Sequence, residues 1–105
     1  MTLAYSGFPF ERALEGIKSA GYDYVAWGTS HRENPQAERV DLIAVDAPAS
    51  RAKQLGQQCR DAGLDPVMMF SRVYVAAENS VPAHTKRIEQ AAAAGIPFLL
   101  TFGHV

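Results

Sequence analysis

The sequence predicts an α/β fold of parallel βα repeats, about four strands and three helices in a single domain over 1–105. The first observation behind this is a phrase that recurs. Ala20-Gly21-Tyr22 leads into Asp23-Tyr24-Val25-Ala26-Trp27, Ala62-Gly63-Leu64 into Asp65-Pro66-Val67-Met68-Met69-Phe70, and Ala94-Gly95-Ile96 into Pro97-Phe98-Leu99-Leu100-Thr101-Phe102. Second, each phrase follows a segment whose apolar residues recur every three or four positions, the period of a helix with one buried face. Third, the run after each glycine is continuously apolar rather than alternating, the pattern of strands covered by helices in a parallel sheet. Glycine suits the junction because the residue just past a helix end adopts positive φ, which costs little only without a Cβ.

Taken in order, Thr2 to Tyr5 reads as a first strand broken by Ser6-Gly7. Phe10, Ala13, Leu14, Ile17 and Ala20 then fall at helical spacing, with Glu11, Arg12, Glu15 and Lys18 on the other face; Ser6 is a candidate cap and Pro9 suits the first turn. Tyr22 to Gly28 forms the second strand. Residues 29–46 are a long βα loop that opens with the polar cluster Thr29-Ser30-His31-Arg32-Glu33-Asn34-Pro35. Within it, Val40 to Val45 is either a small extra strand or an extended segment on the rim.

Asp46 is the expected N-cap of the second helix, with Pro48 in its first turn and Ala52, Leu55, Gly56, Cys59 and Ala62 on its inner face. The third strand starts at Asp65-Pro66 and buries Val67 to Phe70. Asn79 or Ser80 caps the third helix, whose expected inner face is Val81, His84, Ile88, Ala91 and Ala92. Phe98 to Phe102 is the fourth strand.

Composition bounds the function. Ten Lys and Arg stand against eleven Asp and Glu, a net charge of −1 with no block of either sign, which gives no nucleic-acid footprint. The single cysteine, Cys59, excludes an intrachain disulfide and points to a reducing, cytoplasmic setting; on the inner helix face it reads as a small buried hydrophobe. The longest nearly apolar stretch, Ala91 to Leu100, is shorter than the roughly 20 residues that span a bilayer, so no membrane insertion is expected. No phosphate-binding glycine loop or nucleophile elbow is present.

The series AGY…YVAWGTSH, AGLDPVMMF and AAAAGIPFLLTFGH at successive strand positions resembles the first half of a sugar-phosphate isomerase/epimerase of the xylose-isomerase-like TIM-barrel superfamily. That resemblance implies the N-terminal half of a (β/α)8 barrel. For the parent family it implies a sugar or sugar phosphate as substrate, a divalent metal (Mn, Mg, Co or Zn), and proton transfer through an enediolate. In the family the metal ligands stand mostly at later strand ends, so this chain alone is expected to hold no metal and to be inactive. A barrel takes about 250 residues.

Four residues near strand ends are the candidate substrate-binding set. Trp27, closing the second strand, suits either an apolar wall under a sugar ring or the core. His31, a few residues on, suits a hydroxyl or phosphate contact or a solvated loop position. Arg72, after the third strand, offers a bidentate anion contact or a rim ion pair. His104 follows the fourth strand, where the related endonuclease branch carries a metal-binding histidine.

A second functional reading is a non-catalytic α/β module. With helices on one face only, Tyr24, Ala26, Val67, Met69, Phe98 and Leu100, or their alternate neighbours, lack a partner on the other. Self-association, with the edge of the first or fourth strand in the contact, is therefore expected.

Overall fold

The computed structural model describes residues 2, 7–28, 30–32, 34, 36–38, 40–74 and 78–102. The first expected strand, apart from a buried Thr2, lies outside the described residues. In chain order the elements are α1 (Phe10–Ser19), β1 (Tyr24–Trp27), β2 (Ser30–His31), β3 (Val40–Asp41), α2 (Ala49–Asp61), β4 (Asp65–Tyr74), α3 (Ser80–Ala94) and β5 (Phe98–Phe102).

β1, β4 and β5 form a parallel sheet with β4 in the middle, so each helix between them is a crossover, as the recurring phrase requires. Gly21, Gly63 and Gly95 stand at the three helix ends with φ of 95°, 84° and 72°. All three junctions are therefore the left-handed turns that the sequence implies. Pro66, expected to open a strand, is the second residue of β4, next to a register shift between Val25 and Ala26 of β1.

α1 and α2 bury most of the residues that their periodicity indicates, although Ala20, past the end of α1, is exposed and Ala62, past the end of α2, is only half-buried. Phe10, Ala13, Leu14 and Ile17 of α1, and Ala52, Leu55, Gly56 and Cys59 of α2, face inward. They meet Val25, Trp27, Met69 and Leu64 in one core, with Ile43 and Ile96 closing its ends. α2 and α3 cross closely enough that a Cβ on Gly56 would stand 2.8 Å from the carbonyl oxygen of Ala94, so a larger residue there would force the helices apart.

The helix starts differ from expectation. Pro9 and Pro48 occupy the N-cap positions of α1 and α2, and neither helix has a side-chain cap hydrogen bond. Asp46 is instead in the turn closed by Ala47 N–H to Ala44 C=O at 3.1 Å, too early to reach the first helical turn.

α3 buries Ala91 as expected but turns the rest of its expected inner face outward or to the side. Val81 and Ile88 are 78% and 59% exposed, while Ala83, Arg87, Gln90, Ala91 and Ala94 are buried. Segment 42–47 makes no sheet, so its carbonyls need donors from elsewhere. Arg87 Nη1 donates to Ile43 O at 2.8 Å and to Gln90 Oε1 at 3.0 Å. Gln90 Nε2 donates to Ala44 O, Val45 O and Ala47 O at 2.9, 3.2 and 3.2 Å. Two long polar side chains thus turn inward, and the β-branched residues turn out.

The helices cover one sheet face. On the other, lateral neighbours in the register run Ala26, Met68, Phe98 in one row and Phe70, Leu100 in the next. Tyr24 and Phe98 are each 64% exposed and Leu100 40%, with Ala26, Met68 and Phe70 half-buried. Met69, expected with this group, lies on the helix side and is buried. Among the described residues the expected exposed apolar face is present at Tyr24, Phe98 and Leu100, with Met68 and Phe70 as its half-buried β4 members.

Candidate functional site

The chain leaves β1 through Gly28, whose N–H donates to Thr2 Oγ1. It then forms a small antiparallel ladder in which Ser30 faces Asp41 and His31 faces Val40. The expected extra strand is thus confined to Val40–Asp41, and its pairing with Ser30–His31 folds the long loop back over the start of α1.

This placement buries His31 to 4% exposure rather than leaving it solvated. Its ring meets Phe10 edge-on at 5.5 Å, and its Nδ1 is 3.1 Å from the carbonyl oxygen of Phe8. A carbonyl only accepts, so Nδ1 carries a proton and donates it to Phe8 O. Nε2 is buried and has no hydrogen-bond partner among the described residues. An unpaired buried polar atom of this kind costs stability.

His31 lines a cleft of about 480 Å³, open to solvent, between the start of α1, the β2–β3 ladder and the first turn of α2. Pro9, Phe10 and Glu11 come from α1, Arg32, Val40, Asp41 and Leu42 from the ladder and its flanks, and Arg51 from α2. The sequence brings His31 and Arg32 together by adjacency. Arg51, Glu11 and Asp41 join them only through folding, and no spacing in the chain marks them as neighbours.

The other candidates lie elsewhere. Trp27 is 1% exposed on the helix side of the sheet, edge-on to Phe10 at 6.3 Å, with its Nε1 donating to Cys59 Sγ at 3.2 Å. A narrow crevice with Gly28, Met69, Phe70 and Arg87 runs beside it, and in this structure its ring packs in the core. Arg72 is a residue of β4, but its side chain lies outside what the structure describes, as does all of His104.

Two further polar groups are held by structure. His84, expected to pack on the inner face of its helix, bridges to the end of β5: Nδ1–H donates to Ser80 O at 2.9 Å and Nε2 accepts from Thr101 Oγ1 at 2.8 Å. Cys59 is buried, and burial pushes its thiol up to about 11 despite the Trp27 hydrogen bond. Among the described residues no group of three or more His, Cys, Asp or Glu is placed to hold a metal ion. Among the same residues no helix is long and apolar enough to cross a membrane.

Comparison with protein-family models, with curated proteins and with solved structures gives no match for this chain.

Proposed function

We propose that the chain is a βα half-barrel that works by association, docking its uncovered sheet face and β5 edge on a second copy of itself. The observation that carries this reading is that both layers leave large apolar side chains exposed. Phe98 and Leu100 of β5 are exposed, and so are Val81 and Ile88 of α3, the helix that precedes β5. A surface of that shape, a helix flank beside a strand edge, is where the next βα unit of a parallel fold would pack.

A second copy fits because it supplies the same two layers. Net charge is close to neutral at −1, and Lys86 and Glu89 pair at 4.0 Å on α3, so a two-fold contact meets no single-sign field. From their exposed fractions, covering Tyr24, Phe98, Leu100, Val81 and Ile88 contributes roughly 4 to 9 kcal/mol. Association itself costs about 4 kcal/mol or more. The expected product is a weak, concentration-dependent dimer.

The resemblance to sugar isomerases supports the half-barrel description as ancestry, and the parallel order β1-β4-β5 with crossover helices is consistent with it. Sedimentation over a wide concentration range tests the proposal. The native chain should show a rising mean mass, and Phe98→Glu, at a site 64% exposed, should hold it at the 11.4 kDa monomer without loss of stability. A native chain that stays monomeric at high concentration and binds no apolar dye would defeat it. Equal self-association by Phe98→Glu would place the contact elsewhere and defeat it too.

A further inference from the structure

Given the self-association proposed above, on which this rests, we infer that the second copy binds across the β5 edge about a two-fold axis, with α3 antiparallel to its partner's α3 and β5 antiparallel to its partner's β5. Among the described residues β5 is the outer strand of the sheet β1-β4-β5. His84 Nε2 accepts from Thr101 Oγ1 at 2.8 Å, which sets α3 over that strand. Val81 and Ile88, three residues before and four after His84, share its side of the helix and are 78% and 59% exposed.

Both belong to a stripe. Val81, Thr85, Ile88 and Ala92 follow one another at intervals of four, three and four, the spacing of a seam along which two helices pack, and all four are exposed. Reversed, the stripe fits itself. In an antiparallel pair Val81 of one copy falls opposite Ala92 of the other, and Ile88 opposite Thr85, a large side chain against a small one at each level. Thr85 Oγ1 donates to Val81 O at 2.7 Å, so its hydroxyl is already satisfied when the contact covers it. Glu89, paired with Lys86 at 4.0 Å, falls opposite position 84 of the other copy, so like charges do not meet.

The sheet layer shares the axis. β4 and β5 are parallel, so the crossover helix α3 runs against them. The middle of the stripe, between Thr85 and Ile88, lies about 4 Å beyond His84 at about 1.5 Å per residue, a distance of about one residue back from Thr101 along β5. That position is Leu100, 40% exposed and the middle residue of β5, on which an antiparallel pairing of the strand with its copy is centred.

A separate observation distinguishes a two-fold copy from a further parallel unit. The first two units carry a basic residue three positions before the junction glycine, Lys18 before Gly21 and Arg60 before Gly63, and each reaches the next unit. Lys18 Cε would stand 3.0 Å from a Cβ on Gly63, and Arg60 Nη2 donates to Ala94 O at 2.8 Å. The corresponding residue of the third unit is Ala92, which has no side chain to extend toward a following unit and leaves the space that Val81 of the partner fills.

Cross-linking with a short bismaleimide tests the arrangement, with the native chain, whose Cys59 is buried, as the blank. A mixture of Val81→Cys and Ala92→Cys chains should link into a dimer in several times the yield of either alone, because two copies of position 81 stand about 16 Å apart along the helices. Leu100→Cys should link to itself. Ala92→Arg, at an exposed site and with little change in helix propensity, should weaken association roughly tenfold in sedimentation and leave the unfolding midpoint of the dilute chain unchanged. Val81→Cys linking to itself as readily as to Ala92→Cys, or Ala92→Arg associating like the native chain, would overturn the arrangement. A native chain that self-associates while neither link forms overturns this contact and leaves self-association standing; one that stays monomeric removes both.

Discussion

Replacing Gln90 by Leu removes the donor that holds segment 42–47 onto α3, and its cost follows from the contacts. Gln90 is 1% exposed, and its Nε2 serves three carbonyls, those of Ala44, Val45 and Ala47. Its Oε1 also accepts from the buried Arg87 guanidinium, whose pKa is pushed down by burial and held up by Asp41. An amide group has two hydrogens, so two neutral hydrogen bonds and one charged one are lost, each worth about 0.5–1.5 and about 1.5–3 kcal/mol respectively. Ala44 is exposed and its carbonyl can take water, Arg87 keeps Ile43 O at 2.8 Å, and Leu gains in transfer. The expected loss is therefore about 2–4 kcal/mol, a sizeable part of a small domain's roughly 5–15 kcal/mol. Helix propensity does not confuse the comparison, since Leu and Gln are nearly equal.

The assay is urea unfolding followed by the fluorescence of Trp27, the only tryptophan, which is 1% exposed when folded. A lower midpoint with unchanged slope is the expected result, with a fall in Tm of roughly 10–25 °C. Gln57→Leu is the control, because the Gln57 Nε2 bond to Asp61 Oδ1 at 2.9 Å is exposed and should be worth less than about 0.5 kcal/mol. If Gln90→Leu is as mild as Gln57→Leu, the clamp does not anchor the segment and the account of why α3 turns Arg87 and Gln90 inward is wrong.

Three further outcomes follow from the same contacts. Cys59 should resist a thiol reagent at pH 8 in the folded chain and react fully after unfolding in urea. Its pKa is raised from 9.0 to about 11 by burial, so the unfolded state loses the proton first; stability should fall as pH rises from about 9 to about 11, and less so in Cys59→Ala. A Cβ at Gly21 meets nothing within 4 Å, so Gly21→Ala should cost only the left-handed penalty, about 1 kcal/mol. At Gly95 the same Cβ would stand 2.6 Å from Arg60 Nη2, which donates to Ala94 O at 2.8 Å, and Gly95→Ala should cost measurably more in the same unfolding assay.

The order of helices and strands, the three left-handed junctions and the inner faces of α1 and α2 were legible in the sequence because they depend on local rules. Periodicity aligns Leu14 with Ile17 and Leu55 with Cys59 on one stripe, and positive φ selects glycine after a helix, whatever surrounds them. The uncovered sheet face was likewise implied by strands that stay apolar on both sides. Tertiary structure alone decided which way α3 turns: its hydrophobic stripe is weak, and the carbonyls of Ile43, Ala44, Val45 and Ala47 take donors from Arg87 and Gln90. It also decided that Trp27 points at the helices rather than across the sheet, since a strand's two faces look alike in a run with no alternation. The cleft was the least legible feature. His31 and Arg32 are adjacent in sequence, but Glu11, Asp41 and Arg51 meet them only because the β2–β3 ladder folds between two helix N-termini, a pairing of distant segments that no local pattern encodes.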